Sequence, residues 1–145
     1  MQASKAVSDS IRSLVGFHPE PYSPGEDVPT HIGYGHRITG ELEWAAVPCT
    51  EAQAEAYLVT DVGIAEATVR QRWTRTRTTK GDQDRFDAAC LAVHMLGCDL
   101  MLRAWLLKGL TSGKDIGPEA ARWAVQLPEK EKVLREVRLM SEGGQ

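Results

Sequence analysis

Three acidic side chains lie close together near the N-terminus: Glu20, Glu26 and Asp27. Two neighbouring carboxyl groups can act as general acid and general base when one stays protonated and the other ionised. The acid of such a pair needs partial burial, which raises its pKa. Glu20 stands between two prolines, which favour turns and extended backbone. The pattern therefore indicates exposed loop acids, and a catalytic pair only if the local fold shelters one of them.

The histidines and cysteines show no spacing typical of a metal site. The four histidines are His18, His31, His36 and His94. The three cysteines form an odd and sparse set, which is typical of free thiols in a reducing compartment rather than of a disulfide framework. We therefore predict buried free cysteines, no metal site and no cofactor.

Basic residues crowd one short segment that also contains Trp73. They are Arg70, Arg72, Arg75, Arg77 and Lys80. Cations at a helix C-terminus are stabilised by the helix dipole, so a solvated helix end is one interpretation. The other is a binding site for an anionic partner, formed by Arg72, Arg75 and Arg77.

The tryptophans fall into two classes. Trp44 follows the polar residues Glu41 and Glu43 and is a candidate for a contact surface. Trp105 and Trp123 have apolar neighbours at helical spacing, which predicts core positions.

The spacing of apolar residues predicts the elements that would position these side chains. A short helix is expected over 4–15, capped by Ser4 or Ser8. The segment 16–40 is rich in glycine and proline, which predicts turns and short strands. Its best strand is 31–36, with Ile32, Tyr34 and His36 on one face.

From residue 50 onward the pattern is helical. Thr50 and Gln53 form a capping box at the start of a long helix. Further helices are expected at about 82–96, 99–110, 117–126 and 129–140. The sequence thus predicts an α+β protein with mostly α content.

Length and charge limit the function classes. The chain has 145 residues, enough for one domain, and a net charge of −3. A nucleic-acid-binding protein usually carries a basic excess, so we expect no nucleic-acid partner. No apolar run approaches the roughly 20 residues of a membrane-spanning helix, so no membrane span is expected.

The segment His31-Ile32-Gly33-Tyr34-Gly35-His36, which follows a helix and a turn containing Tyr22, resembles the N-terminal lobe of phage-type lysozymes. These are muramidases that cut the glycan strand of peptidoglycan. The segments 50–55, 86–97, 102–113 and 127–140 resemble the later helices of that family. The resemblance implies a single lysozyme-like domain over 1–145. Its small lobe spans about 16–49 and its helical lobe 50–145, with helix 4–15 packed on the helical lobe.

The catalytic positions of the family carry over poorly. The glutamate that serves as general acid corresponds to Val15, and the family's aspartate corresponds to Pro24. The threonine that holds the attacking water corresponds to Thr30 when counted forward and to His31 when counted backward. Glycoside hydrolysis by this route needs two carboxyl groups, so the resemblance implies a degenerate site. Glu20, Glu26 and Asp27 are the possible substitutes.

The resemblance also assigns structural and binding residues. The family pairs a histidine at the end of the glycine-rich strand with an aspartate in the long helix. Here these are His36 and Asp61, and the implied role is a structural ion pair. The candidate binding residues are Tyr22, His31, Tyr34, Trp44, Arg72, Arg75 and Arg77.

These observations favour a phage or prophage protein of lysozyme fold without a muramidase site, acting as a structural virion component or as a module that binds peptidoglycan or a protein partner. One alternative is an active muramidase with relocated carboxylates, and a second is an interaction or inhibitor protein using the 70–80 basic cluster. We expect synthesis in the bacterial cytoplasm, followed by packaging into a virion or release to the cell wall. The sequence leaves the oligomeric state open.

Overall fold

The computed structural model of the chain describes residues 1–23, 28–73, 80–97 and 99–143. The described residues form seven α-helices and three short strands. In chain order they are α1 (Lys5–Val15), β1 (His18–Tyr22), β2 (His31–Gly33), β3 (His36–Arg37), α2 (Gly40–Ala45), α3 (Glu51–Arg72), α4 (Lys80–Met95), α5 (Leu100–Ser112), α6 (Gly117–Gln126) and α7 (Glu131–Ser141). A 3₁₀ turn, Pro128–Lys130, precedes α7. The α+β, mostly α prediction is confirmed.

The strands form an antiparallel sheet in the order β1-β2-β3. The prediction of one strand over 31–36 is wrong, because the chain reverses within it and β2 pairs with β3, placing Ile32 opposite His36. Gly33 and Gly35 take positive φ angles of 67° and 82°, which side chains with a Cβ rarely adopt. These glycines make the reversal possible.

A short helix, α2, follows the sheet in a segment for which no element was predicted from the sequence. Thr39 precedes it, and Glu41 and Glu43 lie in its first turn, where the helix dipole stabilises negative charge. This helix carries Trp44, which is 44% exposed.

The long helix α3 begins as predicted. The Thr50 side chain accepts a hydrogen bond from the Gln53 backbone N–H, and the Gln53 side chain accepts one from the Thr50 N–H. The buried face repeats every three or four residues, as one side of an α-helix requires. It consists of Ala54, Leu58, Val62, Ala65 and Val69. This face packs on α4 and, at its start, on β2.

Helix α4 is the centre of the larger hydrophobic core. Its segment 86–93 is buried throughout, and the helix contacts α1, α3, α5 and α7. The start of α1 is tied to it, since Asp87 accepts hydrogen bonds from both the backbone N–H and the hydroxyl of Ser4. Helix α1 therefore packs with the helical lobe although it precedes the sheet in sequence.

A second, smaller core lies under the sheet. Ile32, Ile38, Cys49 and Ala54 form it, and Tyr34 contacts both cores. The two cores leave a groove between the sheet side and the helical side of the molecule. Cys49 and Cys90 are buried free thiols, and Cys98 lies outside the described residues.

Candidate functional site

The groove between the two lobes has a volume of about 690 Å³. The turn between β2 and β3 forms one wall, and α3 with the end of α4 forms the other. Its polar lining consists of His31, His36, Arg37, Thr39, Glu43, Thr60, Asp61, Thr68, His94, Asp99, Arg103 and Lys130. Positively and negatively charged side chains therefore face the same space.

His36 connects three elements at one side of this groove. Its Nδ1 lies 2.9 Å from Asp61 Oδ2 on α3, and its Nε2 lies 3.0 Å from Glu43 Oε1 on α2. The ring stacks on Tyr57 at 4.1 Å between centroids. An imidazole can donate from both nitrogens only when it is protonated, so this arrangement favours the imidazolium.

The pKa values agree with that assignment. Burial alone lowers the pKa of His36, but the hydrogen bonds to Asp61 and Glu43 outweigh it and raise the pKa above the ordinary value. For Glu43, burial is offset by hydrogen bonds from the Thr39 backbone and from His36, and its pKa is lowered. The cluster thus favours a protonated His36 between the carboxyl groups of Asp61 and Glu43.

The end of α1 lies against the turn between β2 and β3. A Cβ placed on Gly35 would be 3.4 Å from His94 Nε2, 3.6 Å from Val15 Cγ2 and 3.8 Å from the Tyr22 hydroxyl oxygen. These three side chains therefore surround the Gly35 backbone closely. At the position to which the resemblance assigns a general acid, the chain therefore has an isopropyl group, with an imidazole and a phenol near the same glycine.

None of the three titratable side chains around that position readily supplies a proton at neutral pH. Burial raises the pKa of Tyr22 to about 12, so its phenol stays protonated at neutral pH. Burial is also the main cause that lowers the pKa of His94, whose Nε2 lies 3.4 Å from the Tyr34 carbonyl oxygen. His31 has a lowered pKa as well, because it is partly buried and close to Arg37. Both imidazoles are therefore mainly neutral at neutral pH.

Three described carboxylates line the groove, and each is held by a structural partner. Asp61 and Glu43 accept hydrogen bonds from His36, and Glu43 also accepts one from the Thr39 backbone. Asp99 caps α5 by accepting a hydrogen bond from the Leu102 N–H. Among the described groove residues, no carboxyl group occupies the sheltered, hydrogen-bond-free environment that keeps a general acid protonated.

The remaining predicted residues differ in whether they face the groove. His31 lines the groove and Thr30 does not, although the Thr30 hydroxyl lies 2.7 Å from His31 Nδ1. Glu20 is exposed on β1, on the side of Cys49 rather than in the groove. Tyr34 lies in the turn with its ring against Phe17.

The basic cluster is only partly described. Arg72 is exposed at the end of α3. The Arg70 side chain is engaged within the chain, since its guanidinium donates a hydrogen bond to the Met1 carbonyl oxygen and pairs with Glu66. Pro24, Glu26, Asp27, Arg75 and Arg77 lie outside the described residues, as does the side chain of Lys80.

Sequence reasoning misplaced one tryptophan and missed five charged groove residues, which are Arg37, Glu43, Asp99, Arg103 and Lys130. Thr39 is a residue type that caps helices, and Glu41 and Glu43 follow in the first turn, which together would have indicated α2. Arg103 and Lys130 enter the groove only because α5 and the 3₁₀ turn fold towards it. Trp105, expected in the core, is 49% exposed because α5 turns its other side towards α4.

Two further properties concern the described ranges alone. No cluster of three or more His, Cys, Asp or Glu side chains there has the geometry to hold a metal ion. None of the helices there combines the length and the apolar character that a membrane crossing requires.

Comparisons with known proteins agree with this architecture. The sequence profile described as Phage lysozyme matches residues 12–138. Among solved structures, the endolysin from Escherichia coli O157:H7 phage FAHEc1 aligns with a TM-score of 0.67 and 26% sequence identity, covering 98% of this chain and 92% of the endolysin chain. A comparison with curated proteins found no match. Since the profile spans both lobes and most of the sequence, the chain belongs to the phage lysozyme family.

Proposed function

We propose that this protein is a lysozyme-fold phage or prophage protein that binds peptidoglycan without hydrolysing it. Membership of a lysozyme family makes peptidoglycan the substrate or partner to expect. The observation that carries the proposal is Val15, the last residue of α1, at the position to which the family resemblance assigns the general acid. An aliphatic side chain has no proton to give to a glycosidic oxygen, and this reaction depends on a pair of carboxyl groups.

The groove supports retained binding. Peptidoglycan offers hydroxyl, amide and carboxylate groups, and the groove presents donors and acceptors of both charges. Arg103 and Lys130 face it from the helical side, and His31 faces it from the sheet side. Function lives in such sites rather than in the fold, so binding can persist where catalysis is lost.

The proposed biological setting follows from binding to peptidoglycan without hydrolysis. A wall-binding module without hydrolytic activity serves as a virion component that contacts the cell wall, or as a protein released to the wall after synthesis in the cytoplasm. Packing against a protein partner in the particle is the related structural role.

The test measures hydrolysis and binding separately on purified sacculi. We expect no release of soluble reducing ends above buffer, with an active lysozyme as positive control, and cosedimentation of the protein with the sacculi. Arg103→Ala should weaken this cosedimentation several-fold, because it removes a cation from the groove. Lys132→Ala is the matched control, since it removes the same charge from an exposed site outside the groove.

Hydrolysis of sacculi by the wild-type protein would overturn the proposal. If that hydrolysis were lost in Glu20→Gln, or in a variant lacking Glu26 and Asp27, the protein would be a muramidase with relocated carboxylates. If neither hydrolysis nor cosedimentation occurred, binding to the wall would be wrong. Salt-sensitive capture of a protein lost on replacing Arg72, Arg75 and Arg77 would then favour the interaction role.

A further inference from the structure

A second depression lies on the helical lobe between α5 and α6, apart from the groove. Its volume is about 250 Å³, and it is lined by Trp105, Glu119, Arg122, Trp123 and Gln126. It shares no lining residue with the groove. Trp105 follows Arg103, a groove residue, by two positions, which is about 200° around the axis of α5. The two cavities therefore open on opposite sides of this helix.

The two indole rings in this depression differ in their support. Trp123 is half-buried and packs against the larger core. Trp105 is 49% exposed although its neighbour Leu106 is fully buried. A large aromatic side chain left in water beside a pocket is unfavourable for an isolated molecule, and contiguous exposed apolar surface of this kind marks binding sites.

The polar residues of the depression lie on one face of α6. Glu119, Arg122 and Gln126 are separated by three and four positions, so their side chains project to the same side of the helix. Within the described residues, none of these three side chains makes a hydrogen bond or an ion pair. One carboxylate, one guanidinium and one amide are thus available next to two indoles.

This combination matches the surface of a pyranose ring. Such a ring has an apolar face of C–H groups that stacks on an indole, and hydroxyl groups around its rim. A carboxylate accepts hydrogen bonds from these hydroxyls, while an amide and a guanidinium donate to their oxygen atoms. The depression is about the size of one such ring.

The site continues beyond a single ring. An adjoining depression of about 70 Å³ shares Trp105 and Glu119 and extends to Lys108, Lys114 and Asp115. Acidic and basic side chains both line the two depressions, so the surface offers no uniform positive field to a polyanion. The balance favours an uncharged chain over a polyphosphate or a nucleic acid.

We propose that the α5–α6 face binds a polysaccharide chain, with one pyranose ring stacked on Trp105. This site does not depend on the proposed function of the groove. A second glycan contact on the helical lobe would strengthen attachment to a polymer through multivalency.

The test is a titration of the protein that is monitored by NMR through the four tryptophan indole N–H signals. These signals are assigned with single Trp→Phe variants. The probes are the trimer of N-acetylglucosamine and the trimer of α-1,4-linked glucose. We expect the signals of Trp105 and Trp123 to shift with at least one trimer, while those of Trp44 and Trp73 stay in place. A response to the amino-sugar trimer assigns the wall glycan as ligand, and a response to the glucose trimer alone assigns another polysaccharide.

The variants make the result specific. Trp105→Ala and Glu119→Gln should each weaken trimer binding by about tenfold, the change that corresponds to ~1.4 kcal/mol. Met101→Ala is the matched control, because Met101 is an exposed apolar residue of the same helix that lines neither cavity. A trimer-induced shift of the Trp123 signal that keeps the same affinity in Trp105→Ala would overturn the proposal, because Trp123 lines this depression and not the groove. So would the absence of any indole shift at saturating trimer, including the case in which only a protein covers this face. Sacculus binding through the groove, tested with Arg103→Ala, succeeds or fails independently.

Discussion

The smallest informative unit in this molecule is the His36 side chain. Its two ring nitrogens lie within hydrogen-bond distance of two carboxylates on different helices, and this geometry favours the protonated form. A histidine fixed in this way is a structural link, since a group that transfers protons must change its charge during turnover. The same residue type serves a different purpose at His94, where burial favours the neutral form.

Asp61→Asn tests the link at the residue scale. The raised pKa of His36 contributes stability that is fully present below the ordinary histidine pKa and is lost as the pH rises through the raised value. We therefore expect the substitution to reduce the free energy of unfolding by ~2 kcal/mol near pH 6 and by less near pH 9. The measurement is urea unfolding of both proteins at each pH.

Asp9→Asn is the control for this experiment, because Asp9 forms only exposed surface pairs. Its effect should be small at both pH values, as is usual for such pairs. An Asp61→Asn penalty that is the same at pH 6 and pH 9 would contradict a charged His36.

At the element scale, the contact between β2 and α3 sets the distance between the lobes. A Cβ on Gly33 would lie 3.0 Å from Ala54 Cβ, which is shorter than a normal contact. The φ angle of Gly33 is also positive. A glycine is therefore needed here for two separate reasons, backbone conformation and close packing.

Gly33→Ala should destabilise the protein by about 2–4 kcal/mol, the combined effect of backbone strain and overpacking. Gly63→Ala is the matched control, since Gly63 lies within α3 and a Cβ there would meet nothing within 4 Å. Alanine is the better helix former, so this variant should gain up to ~1 kcal/mol. Thermal unfolding of both variants checks the opposite signs, and a neutral Gly33→Ala would show that β2 can move away from α3.

At the scale of the whole molecule, the groove combines histidines whose pKa values are shifted in opposite directions. The pKa of His36 is raised, while those of His31 and His94 are lowered. A lowered histidine pKa contributes stability above the ordinary value and loses it as the pH falls, because the unfolded chain binds the proton first. Of these three groove histidines, only His36 has its pKa shifted towards the protonated form.

His94→Gln tests this balance. Glutamine keeps a donor towards the Tyr34 carbonyl oxygen but cannot take up a proton. We expect the free energy of unfolding of the wild type to fall more steeply than that of the variant as the pH drops from 6.5 towards 5. Parallel pH profiles from chemical denaturation would contradict the assignment of a neutral, buried His94.

Sequence reasoning was accurate where local rules dominate. The capping box at Thr50, the start of α6 and the helical content all depend on residues near one another in the chain, and the structure confirms them. The prediction of one strand over 31–36 is wrong, because two glycines allow a chain reversal that strand periodicity does not reveal. The predicted core position of Trp105 is wrong, because helical spacing indicates an apolar stripe but does not show how much of that stripe other elements cover.

The sequence alone determined the family resemblance, the mostly helical composition and the identity of the residue at the end of α1, because these depend on residue type and short spacing. Only the tertiary structure decided that Val15, Tyr22 and His94 surround Gly35, that Glu43 is the second partner of His36, and that Trp105 faces solvent beside Trp123. These juxtapositions join elements far apart in the chain. They depend on how the helices pack around α4, and no local pattern encodes that packing.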